Sequence, residues 1–251
     1  MDRASKLREM ARTVLVTGAA SGIGAAIAEA FEGEGYQVFR VDLRALPGED
    51  ALQADLSDPE EVARVVGWAL ARGEVDVLVN NAGFQHVAPL EEFPLEVWQR
   101  MLGVMLTAPF LLTKAFLPRM KERGWGRIIN IGSIHSQVAS PYKAGYVSAK
   151  HGLLGLTKVA ALEAGPYGVT ANLICPAYVR TPLVEGQVAD QAKNLGIPEE
   201  EVIEKVMLEP AAIKRLIEPE EVAALALFLA SDAARSITGA CVPMDLGWTA
   251  R

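Results

Sequence analysis

The fold class that this sequence predicts is α/β: one doubly wound domain on a parallel sheet. Three observations predict it. Apolar runs of strand length alternate with helix-forming stretches along all 251 residues. A glycine-rich turn joins the first apolar run to the first helix. No internal repeat and no Pro/Ser-rich linker interrupts the alternation.

The elements follow in order. VLVTGAASGIGAAIAEAF reads as strand, turn and helix. Gly18, Gly22 and Gly24 let the backbone approach a pyrophosphate, and the helix behind them offers free N–H groups and its positive dipole end. YQVFRVD is the second strand, ending at Asp42 about twenty residues beyond the glycines. A carboxylate there can accept hydrogen bonds from the adenosine ribose hydroxyls and would repel a 2′-phosphate, which favours NAD over NADP. Arg44, two residues on, is a guanidinium that could accommodate that phosphate.

ALQADLSD reads as a short third strand, and SDPEEVARVVGWALA as a helix capped by Ser57 or Asp58 with Pro59 in its first turn. VDVLVNNAG is a fourth strand closing in Asn80, Asn81, Ala82 and Gly83, small and polar where a cofactor would pass. Leu95 to Lys121 reads as a long helix, which Pro109 and Pro118 are expected to bend or divide. RIINIG, Arg127 to Gly132, is a buried strand, HGLLGLTKVAALEA a helix, and Val169 to Cys175 a sixth strand. Residues 177–210 are more polar, with Gly186, Gly196 and Pro198 between helix-like pieces; they predict an inserted helical lid. PEEVAALALFLASD is another capped helix and GACVPMDLG the last strand.

Composition narrows the function. The chain is 51% hydrophobic and 22% charged, ample for a large core. A net charge of -7 without any basic cluster argues against a nucleic-acid partner. Cys175 and Cys241 lie in apolar runs without metal-ligand spacing, so they read as buried reduced thiols of a cytoplasmic protein, and no metal is expected. Arg3, Lys6, Arg8 and Arg12, ahead of the uncharged stretch Thr13–Ala28, superficially resemble a secretion signal. Asp2 and Glu9 break the positive region, and glycines and a serine punctuate the apolar one. No other uncharged apolar run approaches the ~18 residues of a membrane span, so no membrane partner is expected.

The chemistry concentrates in Ser133–Lys150, SIHSQVASPYKAGYVSAK. Tyr146 and Lys150 lie four residues apart at the front of a helix, so both project from one face. Ser133 follows a strand at its carboxyl end, where an open parallel sheet presents its ligands. A free tyrosine has a pKa of about 10, too weak an acid for ready proton exchange at neutrality. An ammonium about 4 Å away, at an effective dielectric near 20, favours the phenolate by roughly 4 kcal/mol, or about 3 pKa units. Such a pair brings the tyrosine toward neutrality, where general acid–base catalysis works best. A serine hydroxyl beside it can hold a substrate oxygen and stabilise developing charge. Alone, the spacing fits two ordinary helix residues equally well.

TGAASGIG, Asp42, NNAG, Ser133 and YVSAK, in this order, resemble the short-chain dehydrogenase/reductase family over nearly the whole chain. The resemblance implies a Rossmann-type fold with seven parallel strands, assembled as dimers or tetramers. It implies that Tyr146 donates or accepts the proton, Lys150 lowers its pKa and binds the nicotinamide ribose, and Ser133 holds the substrate oxygen. Cofactor contacts are implied at Gly18, Ser21, Gly22, Ile23 and Gly24 of the glycine turn. Asp42, Asp55 and Leu56 follow the second and third strands, Asn81, Ala82 and Gly83 the fourth, and Pro176, Val179 and Thr181 the sixth.

Within that family, GFQHVAPL, WGRIINIGSIH, SPYKAGYVSAKHGLLGLTKVAALE, TPLVEGQ and GWTAR are similar to the D-3-hydroxybutyrate dehydrogenases. That likeness implies Gln85, His135, Lys143 and Gln187 as holders of a small hydroxy acid's carboxylate, with NAD as cofactor and a homotetramer as the assembly. An acidic protein that binds a small acid needs a local cation, and Lys143 lies three residues before Tyr146. The chain departs from the family at three positions. Met105 stands where an asparagine holds a water in the proton path, Ala177 replaces the glycine of Pro-Gly, and Leu246 the first glycine of Gly-Gly. Two other readings stay open. One is the same chemistry on another small alcohol, a sugar or a 3-oxoacyl thioester; the other is a catalytically weak nucleotide-binding module.

Overall fold

The computed structural model describes residues 12–182, 184–186, 188, 192 and 196–250. Gln187 and the basic residues Arg3, Lys6 and Arg8 lie outside them. Seven strands build one sheet: β1 Thr13–Thr17, β2 Gln37–Asp42, β3 Ala51–Gln53, β4 Val77–Asn80, β5 Gly126–Ile131, β6 Val169–Pro176 and β7 Cys241–Met244. Their order is β3-β2-β1-β4-β5-β6-β7, and each neighbouring pair is parallel. The order reverses beside β1, and the crevice opens at the carboxyl ends there.

Helices cover both faces. Alternation along the strands decides which residues meet which layer. Val14, Val16, Ile129 and Ile131 face one side, where they pack with α1 (Gly22–Gly33) and a helix at Pro219–Ala230. Leu15, Leu78 and Ile128 face the other, against α2 (Pro59–Leu70) and the helices Ala108–Arg123 and Ala144–Ala164. Because both faces are covered, β1, β5 and β6 are buried at every residue, and apolar residues dominate them, with Arg127, Asn130, Thr170 and Asn172 among the buried polar exceptions. Asp58 caps α2 by accepting the Glu60 N–H at 2.9 Å, and Pro59 stands in the first turn.

The long helix predicted from Leu95 is divided, but not by its prolines. α3 (Leu95–Leu102) passes into a π-helical segment, Gly103–Thr107, before α4 (Ala108–Arg123). Gly103 is pressed against α2's entry: a Cβ there would stand 3.1 Å from the Ser57 carbonyl oxygen. Pro109 sits in the first turn of α4, where its missing N–H is harmless, and α4 continues through Pro118. Leu95–Arg123 is also long and apolar enough to cross a membrane, with a mean hydropathy of 1.5 in its most apolar window. Here its apolar residues Leu112, Phe116 and Met120 pack into the sheet's core.

α5 (Ala144–Ala164) carries the motif helix, and α6 (Pro219–Ala230) the last one. A buried polar ladder sets α5 in register with the sheet. Asn80 donates to Asn130 at 2.8 Å, Asn130 to Thr157 at 2.8 Å, and Thr157 to the Leu153 carbonyl at 2.7 Å. In the 177–210 segment, Pro182, Val184–Gly186, Val188 and Ala192 are helical, and a π-helical stretch spans Val202–Met207. Val188, Val202, Met207, Leu208 and Ala211 form a small core of their own with Tyr178 and Trp248. Leu246 adopts φ 59°, a left-handed conformation that suits the glycine it replaces. Its carbonyl accepts the N–H groups of Ala212 at 2.8 Å and Ile213 at 3.1 Å, and this turn anchors the segment's base. The two cysteines differ from expectation: Cys175 is buried, whereas Cys241, on edge strand β7, is only partly so.

Candidate active site

The carboxyl ends of the central strands open into a cavity of about 450 Å³. At one end lies the glycine turn. Gly18 has φ 68°, and a Cβ on Gly24 would stand 2.1 Å from the Gly18 carbonyl oxygen. Glycine alone lets α1 start so close to the turn. Ser21 supplies no capping hydrogen bond and the first turn holds no acid, so the N–H groups at the start of α1 are free for an anion. The Thr17 hydroxyl accepts the N–H groups of Asn81 at 2.9 Å and Ala82 at 3.1 Å, and the Asn81 amide donates to the Thr17 carbonyl at 2.9 Å. These bonds tie the NNAG stretch to the glycine turn.

Asp42 closes β2 beside them, 8% exposed. It accepts N–H groups from Ala20 and Arg44, each at 2.9 Å. Arg44 lines the cavity as well and donates to the Ser21 hydroxyl at 2.7 Å. An uncapped helix start, a turn that a Cβ would fill and a carboxylate at the tip of β2 together fit a dinucleotide.

Gly18, Ser21, Gly22 and Ile23 line this cavity, as do Asn81, Ala82 and Gly83 and, across from them, Pro176, Val179 and Thr181. Gly24, Asp55 and Leu56 do not. Gly24 packs beneath the turn, Asp55 is engaged by Ser57 and Arg100, and Leu56 is buried in the core. Sequence reading passed over Tyr178, which also lines the cavity. Its signal was its place just beyond the carboxyl end of β6.

Ser133, Tyr146 and Lys150 meet at the other end. The Ser133 hydroxyl hydrogen-bonds to Tyr146, and Lys150 donates to the Ile131 carbonyl at 2.6 Å, clamping α5 to the tip of β5. The electrostatics depart from the expectation for this pair. Burial raises the Tyr146 pKa above the usual range, against the pull of the Ser133 hydrogen bond. The Lys150 ammonium is turned to the carbonyl and sits 5.6 Å from the Tyr146 ring centroid. Burial also lowers Lys150 to about 8. Desolvation of both groups therefore outweighs their attraction in this arrangement.

Gln85, His135 and Lys143 also line the cavity. His135 Nε2 lies 3.4 Å from Lys143 Nζ and 3.4 Å from the Ser140 hydroxyl, and its ring stands edge-on to Tyr146. Burial, then the Lys143 charge, lower His135 to about 4, so it is neutral at physiological pH. Burial lowers Lys143 too. Met105 is buried in the π-helical segment, packed with Met101, Ala149 and Tyr146. Its sulfur lies 3.1 Å from where a Cβ on Gly83 would be.

Comparison with known proteins gives a consistent picture. The family model described as enoyl-(acyl carrier protein) reductase matches residues 18–249. D-beta-hydroxybutyrate dehydrogenase of Rhizobium meliloti is 46% identical, over 96% of this chain and 100% of that protein. The enzyme of the same name from Cupriavidus necator is 44% identical, over 96% of this chain and 98% of its own. Among solved structures, 4-hydroxyisoleucine dehydrogenase complexed with NADH superposes with a TM-score of 0.86 at 29% identity, covering 96% of this chain and 99% of that one. The chain belongs to the short-chain dehydrogenase/reductase family and is a nicotinamide-dependent oxidoreductase.

Proposed function

We propose that the protein interconverts D-3-hydroxybutyrate and acetoacetate with NAD. One observation supports this reading above the others: Lys143 stands 3.4 Å from His135, whose ring meets Tyr146, in a cavity that Gln85 and Ser133 also line. A half-buried ammonium beside a neutral imidazole suits a small carboxylate. A sugar has no charge for Lys143, and a thioester lacks the free acid.

In this reading Gly18, Ser21, Gly22 and Ile23 hold the pyrophosphate, Asp42 the adenosine ribose, and Lys150 the nicotinamide ribose. Bound NAD supplies the hydride acceptor at the substrate carbon. Ser133 donates to the substrate oxygen and fixes it within reach of Tyr146. Tyr146 takes the hydroxyl proton in oxidation and returns it in reduction. Lys143 and His135 orient the acid end, which converts binding energy into position. The segment 177–210 closes over the substrate with Gln187, and four chains assemble.

The test is NADH formation with D- against L-3-hydroxybutyrate, sugars and a 3-hydroxyacyl thioester, repeated with NADP. The reading predicts the D acid as the best substrate and NAD as the preferred cofactor. A larger kcat/KM for a sugar or thioester would replace the substrate assignment. A preference for NADP would transfer the cofactor role from Asp42 to Arg44.

A further inference from the structure

Cys175 and Cys241 are 66 positions apart in the chain, yet their Sγ atoms lie 3.1 Å apart. Both are free thiols, and neither lines the cofactor cavity. They stand on neighbouring strands: Leu173 is the partner of Cys241 in register, so Cys175 is two residues further along the same face. Cys175 also hydrogen-bonds to the Ser136 side chain and the Ser133 backbone, behind the turn that presents Ser133.

The two thiols are unequal. Cys175 and Cys241 share a hydrogen bond that either sulfur can donate, and the Gln137 amide donates to Cys241 alone at 2.9 Å; together these hold Cys241 below the usual thiol range. The bond to Cys241 and burial push Cys175 up. Cys241 is thus the more acidic and more reachable sulfur, with Cys175 behind it as a resolving partner.

We propose that Cys175 and Cys241 form a redox modification site, closed to a disulfide by small peroxides, and that closure slows the dehydrogenase. The Cys241 thiolate attacks one oxygen of hydrogen peroxide. The O–O bond breaks, hydroxide leaves and is protonated to water, and Cys241 becomes a sulfenic acid. The Cys175 sulfur then attacks Cys241; the S–S bond forms, the S–O bond breaks, and water leaves with the Cys175 proton. Two thiols and one peroxide become a disulfide and two waters.

The sheet makes this bridge a strained one. Ideal spacings of ~4.8 Å between strands and ~3.3 Å per residue put the two Cα atoms about 8 Å apart. Disulfides hold them at roughly 4.4–6.8 Å, so closure requires the strands to shift. β6 leads into Pro176, Ala177 and Tyr178 of the cavity wall. β7 leads into Leu246, whose carbonyl anchors Ala212 and Ile213. Displacement of β6 therefore reaches the cavity wall, displacement of β7 reaches the Leu246 turn, and strain leaves the bridge easily reduced.

The experiment treats the whole enzyme with hydrogen peroxide, then dithiothreitol, reading intact mass, linked peptides and turnover. The expected result is a mass lower by two hydrogens, a peptide linking the two cysteines, and a kcat lower by about fivefold, or ~1 kcal/mol of barrier. Dithiothreitol should restore all three. Cys241→Ser should keep basal turnover and lose the response, and Cys175→Ala should let oxygen accumulate on Cys241. Oxygen addition without a linked peptide in the wild type, or a linked peptide with unchanged turnover, would overturn the proposal. The mass readout holds whichever alcohol the enzyme oxidises, so it fails separately from the substrate assignment.

Discussion

Tyr146 and Lys143 are both half-buried, and desolvation moves their titrations in opposite directions. A raised tyrosine pKa keeps the phenol protonated at neutrality, ready to donate to a keto acid. Oxidation needs the phenolate, so kcat for oxidation should rise with pH throughout the neutral and alkaline range. Lys143, its pKa lowered, should lose its charge below the usual lysine range, so KM for the acid should climb as pH rises. Initial-rate profiles of kcat and KM check this split; a kcat that is flat or falls with rising pH would sink it. Met105 sets a second prediction. A thioether donates nothing and accepts weakly, so it cannot hold a water as an amide does. Lys150 and Ser133 remain in place beside Tyr146, and so Met105→Asn should change kcat by less than about tenfold. Its new amide would be buried without partners, which costs about 1–3 kcal/mol of stability. Steady-state kinetics with a denaturant titration measures both numbers. A gain far above tenfold would mean that the native chain lacks a working proton path.

At the scale of elements, the glycine turn is where sequence and geometry agree best. Gly24→Ala would drive a Cβ to 2.1 Å from the Gly18 carbonyl oxygen. The turn must open, so cofactor affinity should collapse, with about 1–3 kcal/mol of stability lost as for other overpacked sites. Titration of NADH fluorescence and thermal unfolding would check it; unchanged affinity would show that the turn does not hold the cofactor. This turn was legible because glycines, flanking apolar strand and following helix each constrain the same backbone. The strands were legible too, since burial on both faces makes them mostly apolar, with β-branched residues and few charges. The π-helical break at Gly103–Thr107 was not, because GVMLT carries no local signal for it, and the neighbour that Gly103 meets there, Ser57, is distant in sequence. The cysteine pair was invisible for the same reason: strand register brings it together, and spacing along the chain carries no trace of register.

For the molecule as a whole, the trio Ser133, Tyr146 and Lys150 could be read from order and spacing, but its electrostatics could not. Spacing puts the ammonium on the correct face, whereas the Ile131 carbonyl that engages it belongs to another element. Among the described residues, the segment 177–210 has a core of its own, and its ties to the rest of the fold gather at its base: Ala177 to the Met244 carbonyl, the bridge between Val179 and Ile217, and Arg180 to Glu218. It should therefore open at low free energy and close on ligand. Limited proteolysis should cut within it in the free enzyme and slow on addition of NAD with a substrate analogue; an unchanged pattern would rule closure out. The central claim is that Lys143 holds a substrate carboxylate while Ser133 and Tyr146 work on the hydroxyl. Its most direct test is a comparison of wild type and Lys143→Ala on D-3-hydroxybutyrate and on its uncharged methyl ester, with NAD. A charge-assisted hydrogen bond contributes roughly 1.5–3 kcal/mol, so kcat/KM for the acid should fall about ten- to a hundredfold. The ester should be nearly unaffected. Equal losses on both compounds, or none on the acid, would contradict the account.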